Sequence, residues 1–179
     1  MWLVVGLGNP GKEYAGHRHN VGFMAIDEIA SRLRADSFRE KFSPQYAKGS
    51  KDGEDVVLLK PQTYMNLSGQ SVQPASAFFK VAPANLIVIH DEVDLPFGDV
   101  RLKVGGGHAG HNGIRSLIGS LGTPEFVRVR FGVGRPPPGW RGEVADFVLS
   151  NFDSSERAEL PDLLSRTVDS VLDVLARGV

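Results

Sequence analysis

The chain has 179 residues, of which 41% are hydrophobic and 23% charged, and its formal net charge is −1. These values fit a single soluble globular domain with an apolar core. No apolar run approaches the length of a membrane span, so no membrane contact is expected. Cysteine is absent, which excludes disulfide bonds, thiolate metal sites and a cysteine nucleophile, and agrees with a cytoplasmic location.

Strands and helices are predicted to alternate along the chain. The first segment, residues 2–7, is apolar but lacks the features of a signal peptide, and it predicts a core strand. A helix follows from Asn20, its expected cap, to about Leu33. Lys51-Asp52-Gly53 predicts the turn of a hairpin. The hairpin strands are 45–49 and 55–60, the later strands are 85–90, 100–104 and 126–134, and the later helices are 68–81, 112–121 and 153–177.

Two prolines fall inside predicted helices. Pro74 removes a backbone donor, so a kink or an irregular first turn is expected, and Pro161 is expected to interrupt the last helix. The order of elements predicts an α/β fold, a single domain over residues 1–179 with a mixed central β-sheet and helices on both faces.

A glycine motif with the spacing G-x-G-x-x-G runs from Gly6 to Gly11, as in a dinucleotide-binding loop. In such a loop the helix begins within the motif, whereas here Pro10 and a polar stretch follow it. The acids at the required distance, Asp27 and Glu28, fall on the outer face of the first helix and not at the end of a second strand. The motif is therefore interpreted as a tight turn, and no cofactor is predicted.

Four polar segments each follow a predicted strand. Any one of them is also typical of a solvated turn, but polar residues beyond strand ends tend to converge on one crevice in an α/β fold. The sequence therefore predicts a common site. The segments are 9–20, 63–69, 90–94 and 105–113.

Three chemistries are compatible with these segments, while the absence of G-x-S-x-G disfavours a serine hydrolase. An imidazole paired with a carboxylate and flanked by carboxamides could activate water without a metal. A metal hydrolase using His90, Asp91 and His111 is an alternative, although H-E-x-x-H is absent. A non-enzymatic RNA-binding module is the third hypothesis.

The charge is distributed unevenly. Residues 98–141 contain seven basic and two acidic residues, whereas residues 142–179 contain eight acidic and three basic ones. A local basic stretch of this kind favours a phosphate-rich partner, although it is equally typical of ordinary surface charge.

Five segments resemble, in order, the bacterial peptidyl-tRNA hydrolase family. They are VGLGNPG at 5–11, RHN at 18–20, YMNLSG at 64–69, HDEVDLP at 90–96 and GGGHAGHNG at 105–113. The resemblance runs from residue 3 to about residue 152. It implies a single, usually monomeric α/β domain that hydrolyses the ester between a peptide and tRNA. This reaction needs no cofactor and recycles tRNA from stalled translation.

The resemblance also implies roles for individual residues. His19 is expected to be the general base, Asp91 its carboxylate partner, and Asn9 the residue that distinguishes N-blocked peptidyl-tRNA from free aminoacyl-tRNA. Substrate contacts are expected from Tyr14, Tyr64, Met65, Asn66, His111 and Asn112. Contacts to tRNA phosphates are expected from Lys103, Arg130 and Arg141. No metal is expected.

Overall fold

The computed structural model describes residues 1–40 and 44–178, and its strands and helices alternate. The described strands are β1 Trp2–Gly6, β2 Arg39–Glu40, β3 Gln45–Lys51, β4 Glu54–Lys60, β5 Leu86–Glu92, β6 Val100–Val104 and β7 Val127–Gly132. The described α-helices are α1 Val21–Leu33, α2 Ser68–Phe79, α3 Asn112–Leu121, α4 Val144–Val148 and α5 Ser154–Arg177. Short 3₁₀ helices at Arg18–Asn20 and Met65–Leu67 precede α1 and α2.

The strands form one sheet in the order β2-β3-β4-β1-β5-β7-β6. Its four central strands, β4, β1, β5 and β7, are parallel. Strand β3 runs antiparallel to β4, and β6 runs antiparallel to β7. The sheet is therefore mixed, as predicted.

Helices cover both faces of the sheet, which confirms the predicted α/β fold. Alternate side chains of β1 point to opposite faces because a strand has a period of two residues. Leu3 and Val5 pack against α2 and α3, whereas Val4 packs against α1 and α5. All three side chains are fully buried.

The predicted hairpin between β3 and β4 is confirmed. Its turn residues, Asp52 and Gly53, have φ angles of 52° and 82°. Two consecutive positive φ angles are those of a type I′ turn, for which Asp-Gly is a preferred sequence.

Two local predictions differ from the structure, the side-chain cap at Asn20 and the interruption at Pro161. The side chain of Asn20 makes no hydrogen bond that caps α1, and it contacts Asn9 instead, as described below. Helix α2 contains Pro74, as the predicted helix did, whereas α5 is one helix through Pro161 and is not interrupted there. Pro161 is exposed, so water can satisfy the carbonyl group whose helical donor is missing, while the opposite face of α5 stays packed on the sheet. Among the described helices, none combines the length and the apolarity that crossing a bilayer requires.

Candidate active site

A cleft of about 640 Å³ opens beyond the carboxyl ends of the parallel strands. It contains every residue that the sequence analysis assigned to catalysis or substrate contact. These lining residues are Asn9, Tyr14, His19, Tyr64, Met65, Asn66, Asp91, His111 and Asn112. Convergence of residues from four separate segments is what the strand-end argument predicts.

Close packing of α1 on β1 explains the first glycine of the motif. A Cβ atom added to Gly6 would lie 2.1 Å from the carbonyl oxygen of Gly22, and one added to Gly22 would lie 2.5 Å from the amide nitrogen of Leu7. The two glycines therefore let the helix backbone approach the end of the strand. This packing gives Gly6 a structural role.

Asn9 is held in one orientation by two neighbours. The carboxamide of Asn20 accepts from the backbone N–H of Asn9 at 3.0 Å and donates to its carbonyl oxygen at 2.9 Å. The backbone N–H of Met65 donates to Asn9 Oδ1 at 2.7 Å. Because a backbone N–H needs an acceptor, this bond fixes the carboxamide so that Nδ2 remains a donor at the cleft. The sequence analysis took Asn20 for a helix cap and missed this role.

His19 and Asp91 form a buried pair. His19 Nδ1 lies 2.7 Å from Asp91 Oδ2, and the Asp91 side chain is only 2% exposed. Since a carboxylate only accepts, Nδ1 carries the proton and Nε2 is left unprotonated in the neutral ring. Burial alone would lower the pKa of His19, but the charge and hydrogen bond of Asp91 outweigh it and raise the pKa.

The other carboxylate oxygen of Asp91 accepts a hydrogen bond from a second imidazole. His111 Nε2 lies 2.8 Å from Asp91 Oδ1. His111 Nδ1 accepts from the backbone N–H groups of Gly113 at 3.1 Å and Ile114 at 3.2 Å. Because two N–H groups point at Nδ1, the proton of this ring must lie on Nε2. Burial would raise the pKa of Asp91, but the two imidazoles outweigh it and hold the pKa well below its usual range.

The geometry does not favour the metal-hydrolase alternative. The ligand atoms that converge within 4.8 Å belong to His19, Asp91 and His111, whereas the sequence hypothesis used His90. A metal on His111 Nε2 would need that nitrogen deprotonated, but the two backbone N–H groups at Nδ1 leave the proton no other position. This donor set therefore fits a hydrogen-bonded chain and not a metal centre.

His90 has a structural place beside the cleft. Its Nδ1 lies 2.8 Å from the carbonyl oxygen of Asp91, and its Nε2 is buried without a partner among the described residues. Burial, together with the neighbouring His111, lowers the pKa of His90 to about 3. This ring is therefore neutral at physiological pH.

The remaining polar candidates lie at the rim of the cleft. Tyr64 is 54% exposed and packs edge-on against Tyr14, with 6.2 Å between ring centroids. Asn66 and Asn112 are exposed, and they also line an adjoining depression of about 450 Å³ next to Arg115. Their carboxamides are thus available to a ligand.

The cleft also has an apolar wall, which was not predicted from the sequence. Four residues from α4 and the position after it also line the cleft, namely Val144, Ala145, Val148 and Leu149. The five residues of α4 are too few for a periodic signal, although the apolar residues after the proline-rich loop could have indicated a buried turn.

The fourth polar segment reaches the cleft by a route that the sequence did not suggest. Strand β6 is antiparallel, so it ends at the amino end of the parallel strands, where Val104 pairs with Val127. His111 nevertheless contacts Asp91, whose partner on β7 is Phe131. The loop after β6 must therefore cover four residues of strand length, about 13 Å.

A buried arginine holds this loop against the sheet. Arg128 on β7 is 3% exposed and donates to the carbonyl oxygens of Gly106 at 2.7 Å, Gly107 at 2.5 Å and Pro124 at 3.1 Å. Burial lowers the pKa of Arg128. The sequence analysis counted Arg128 among the basic residues but did not predict this structural role.

Two of the three predicted phosphate contacts share one face of the sheet edge. Register pairs Lys103 with Arg128 and Arg101 with Arg130, so all four side chains leave the same face. Lys103 is exposed and Arg130 is half-buried. Arg141 is exposed in the loop before α4, away from these strands in sequence.

The fold and the cleft define the class of the protein. It is an α/β protein in which an imidazole–carboxylate pair and the carboxamides of Asn9, Asn66 and Asn112 meet at the ends of parallel strands. Residues 3–179 match the family model described as peptidyl-tRNA hydrolase. The chain belongs to the peptidyl-tRNA hydrolase family, as the five segments suggested.

Individual relatives agree with this assignment. The chain is 71% identical to a peptidyl-tRNA hydrolase from Sorangium cellulosum, over 99% of the chain and 80% of that protein. It is 50% identical to one from Geobacter metallireducens, over 99% of the chain and 90% of the relative. The crystal structure of peptidyl-tRNA hydrolase from Acinetobacter baumannii superimposes with a TM-score of 0.87 at 40% identity, covering 99% of this chain and 89% of that one.

Proposed function

We propose that this chain hydrolyses the ester between a peptide and the terminal ribose of tRNA, with His19 as the general base and no metal or cofactor. The observation that carries the proposal is the His19–Asp91 pair, whose Nδ1···Oδ2 distance is 2.7 Å and which lines the cleft. The names of the relatives support the choice of substrate, and the His19–Asp91 geometry supports the choice of base.

In the first step, Nε2 of His19 removes a proton from water while the water oxygen attacks the ester carbonyl carbon. Asp91 keeps the imidazole in the required tautomer and stabilises the imidazolium that forms. The raised pKa of His19 strengthens the base. His111 occupies the other carboxylate oxygen and so limits rotation of Asp91.

In the second step, the tetrahedral intermediate collapses and the bond to the ribose oxygen breaks. The proton on His19 Nε2 passes to that oxygen, so the base is regenerated. An alkoxide leaves more easily than an amide nitrogen, and no acyl-enzyme is needed. In this proposal the exposed carboxamides of Asn66 and Asn112 donate to the carbonyl oxygen, and removing one such donor would cost on the order of a few kcal/mol.

Asn9 would select for a blocked peptide. The backbone N–H of Met65 donates to Asn9 Oδ1, so the group of Asn9 that remains for the substrate is the Nδ2 donor. A donor suits the carbonyl oxygen of a peptide or acyl group, whereas the ammonium of free aminoacyl-tRNA offers only further donors. The discrimination follows from leaving polar groups unpaired.

Binding of the tRNA part would rest on phosphate contacts. Lys103 and Arg130 share one face of the sheet edge. The Lys103 side chain also approaches Gly106, in the loop that leads to the cleft, because a Cβ atom built on Gly106 would lie 2.7 Å from Lys103 Cε. Arg141 is a third candidate. Such contacts give affinity without base recognition. A monomer in the cytoplasm would suffice for this activity.

The test is incubation with an N-acetylaminoacyl-tRNA or a peptidyl-tRNA, followed by separation of the products on a gel. We expect His19→Ala to abolish release of the acyl group with the fold retained. His108→Asn is the matched control, because His108 is exposed and the amide oxygen can replace the Nδ1 that accepts from Gly110. Near-normal turnover by His19→Ala would refute the base assignment.

Two further measurements distinguish this proposal from a metal hydrolase and from an RNA-binding module. Loss of activity after dialysis against a chelator, restored by a divalent metal, would support a metal hydrolase. Salt-dependent tRNA binding without cleavage over hours would support an RNA-binding module instead.

A further inference from the structure

Arg18 directly precedes the proposed base and is unusually buried for a charged residue, being only 6% exposed. An arginine is buried to this extent only when its charge is paired. Both terminal nitrogens of Arg18 are hydrogen-bonded, whereas its Nε is buried without a partner among the described residues. The mechanism above makes no use of this residue, so its contacts call for an explanation.

The guanidinium of Arg18 binds the segment that joins α4 to α5. Its Nη2 lies 2.7 Å from Glu156 Oε1, and its Nη1 lies 2.6 Å from Ser150 Oγ and 3.4 Å from the carbonyl oxygen of Phe147. The backbone reinforces this link, because the N–H of Arg18 donates to the carbonyl oxygen of Ser150 at 3.0 Å. The turn that carries His19 is thus attached to the end of α4.

Aromatic contacts extend the attachment into α4. The guanidinium carbon of Arg18 lies 4.0 Å from the ring centroid of Phe147, which is buried near the end of that helix. Trp140 packs edge-on against the same ring, with 5.3 Å between centroids. Phe147 therefore lies in contact with both a cation and an indole.

Glu156 is itself fixed by the start of α5. Its Oε1 accepts from the backbone N–H of Asp153 at 2.9 Å, and Asp153 Oδ1 accepts from the N–H of Glu156 at 2.8 Å. Such a reciprocal capping pair gives the carboxylate a defined position. The guanidinium therefore connects three ordered points: the turn before α1, the end of α4 and the cap of α5.

We propose that Arg18 is a positioning residue that sets the distance between His19 and the apolar wall of the cleft formed by α4. His19 and Val148 both line the cleft, and each is the direct chain neighbour of a residue in this network, Arg18 and Phe147 respectively. A substrate bound against α4 then meets the imidazole at a fixed separation. The proposal rests on the proposed function, since it assumes that His19 acts on a bound ester.

Arginine suits this position better than lysine. Its planar fork reaches Glu156, Ser150 and the Phe147 carbonyl from two nitrogens while its face stacks on an aromatic ring. A lysine would keep the charge but supply one nitrogen. Arg18→Lys should therefore recover only part of the effect of Arg18.

The first experiment compares kcat and KM in Arg18→Met, Arg18→Lys and Glu156→Gln. The matched control is Arg32→Met, because Arg32 also binds an acid and a serine, Asp169 at 3.0 Å and Ser165 at 3.2 Å, but it joins α1 to α5 at the surface. We expect kcat to fall about tenfold in Arg18→Met, because small misplacements of a catalytic group are costly, with KM within about twofold. Arg18→Lys should be intermediate and Arg32→Met unchanged.

The second experiment measures the pKa of His19 by NMR, with its signal assigned by comparison with His19→Asn. Asp91 on β5 and His111 at the start of α3 face this ring, so loosening the turn weakens the bond to Asp91. We expect the pKa of His19 to fall in both Arg18→Met and Glu156→Gln. A purely Coulombic influence would instead raise it in Arg18→Met and lower it in Glu156→Gln.

A third measurement reports on the wall. In a Trp2→Phe background, Trp140 is the remaining tryptophan, and its emission should shift in Arg18→Met but not in Arg32→Met.

If Arg18→Met does not fold, the proposal is tested with Arg18→Lys and Glu156→Gln, since a glutamine keeps the oxygen that accepts from Asp153. Wild-type kcat and an unchanged His19 pKa in folded variants would overturn the proposal. A changed pKa in a protein that cleaves no ester would reject the proposed function while keeping the link to His19.

Discussion

The cleft and the basic face of β6 and β7 hold polar residues in different ways. In the cleft, the side chains of Asp91 and Asn9 are buried and each has a specific hydrogen-bond partner. On the basic face, Lys103 is exposed and its register partner Arg128 is the buried one. The difference indicates that the cleft depends on fixed geometry, whereas the basic face depends on charge. Mutations in the two regions should therefore change different kinetic quantities.

Among the variants that compare the two regions, the largest effect is expected from Asp91→Asn. A carboxamide can present its NH₂ group to His19 and so stabilise the tautomer with the proton on Nε2, which cannot act as a base. We expect kcat to fall on the order of a thousandfold or more, with the salt dependence of binding unchanged. Single-turnover hydrolysis of peptidyl-tRNA at saturating enzyme measures this, and a loss confined to KM would contradict the comparison.

The same pair determines the pH dependence of the cleft. His19 must be neutral to accept a proton. Burial lowers the pKa of His19, but the charge and hydrogen bond of Asp91 outweigh burial, so the pKa is raised. Activity should therefore fall as the pH drops through that raised value, so the acid limb of kcat/KM lies at a higher pH than it would for an unperturbed histidine. In Asp91→Asn the residual activity should lose this limb or show it at lower pH.

A smaller effect, on binding, is expected from the basic face. Lys103→Gln and Arg130→Gln should each raise KM several-fold near physiological salt and lower the slope of log affinity against log salt by about one. Neither variant should alter kcat or the acid limb. Lys48→Gln, an exposed lysine on β3, is the control. A drop in kcat alone would show that the two regions are not separable.

The smallest effect concerns the glycine-rich loop that connects the two regions. Ala109 has a φ angle of 49°, a conformation that costs a side chain about 1 kcal/mol and glycine nothing. Ala109→Gly should change the free energy of unfolding by less than about 1 kcal/mol, in the stabilising direction, because the gain is partly offset in the unfolded chain.

Ala77→Gly is the opposite control, since Ala77 is an exposed residue of α2 and glycine there should destabilise by up to about 1 kcal/mol. Urea unfolding of the two variants measures the sign of the change in the free energy of unfolding for each. Equal destabilisation would mean that the loop does not strain Ala109.

The sequence predicted the parts of the molecule that follow from local pattern. The alternation of strands and helices, the Asp52-Gly53 turn and the site at the strand ends are encoded in short segments, and the structure agrees with them. The family resemblance named the same segments. Local pattern was misleading where tertiary packing dominates, as at Pro161, which an exposed position in α5 tolerates.

The residues that were missed act over long separations in the sequence. Arg18 binds Glu156, 138 positions away, and the two glycine carbonyls of the 105–110 loop bind Arg128, at least 21 positions away. No spacing rule connects such pairs, because only the folded chain brings them together. Asn20 was assigned to a cap because its neighbours suggested a helix start, whereas its carboxamide is taken by Asn9.

One carboxylate between two imidazoles has a consequence for how the proposed base is held. The rings of His19 and His111 lie 5.1 Å apart, and Asp91 uses one oxygen for each of them. The backbone N–H groups of Gly113 and Ile114 in turn hold His111 at the start of α3. The first turn of α3 is therefore linked to the imidazole of His19 through a single carboxylate, so a shift of that helix end would be transmitted to the base.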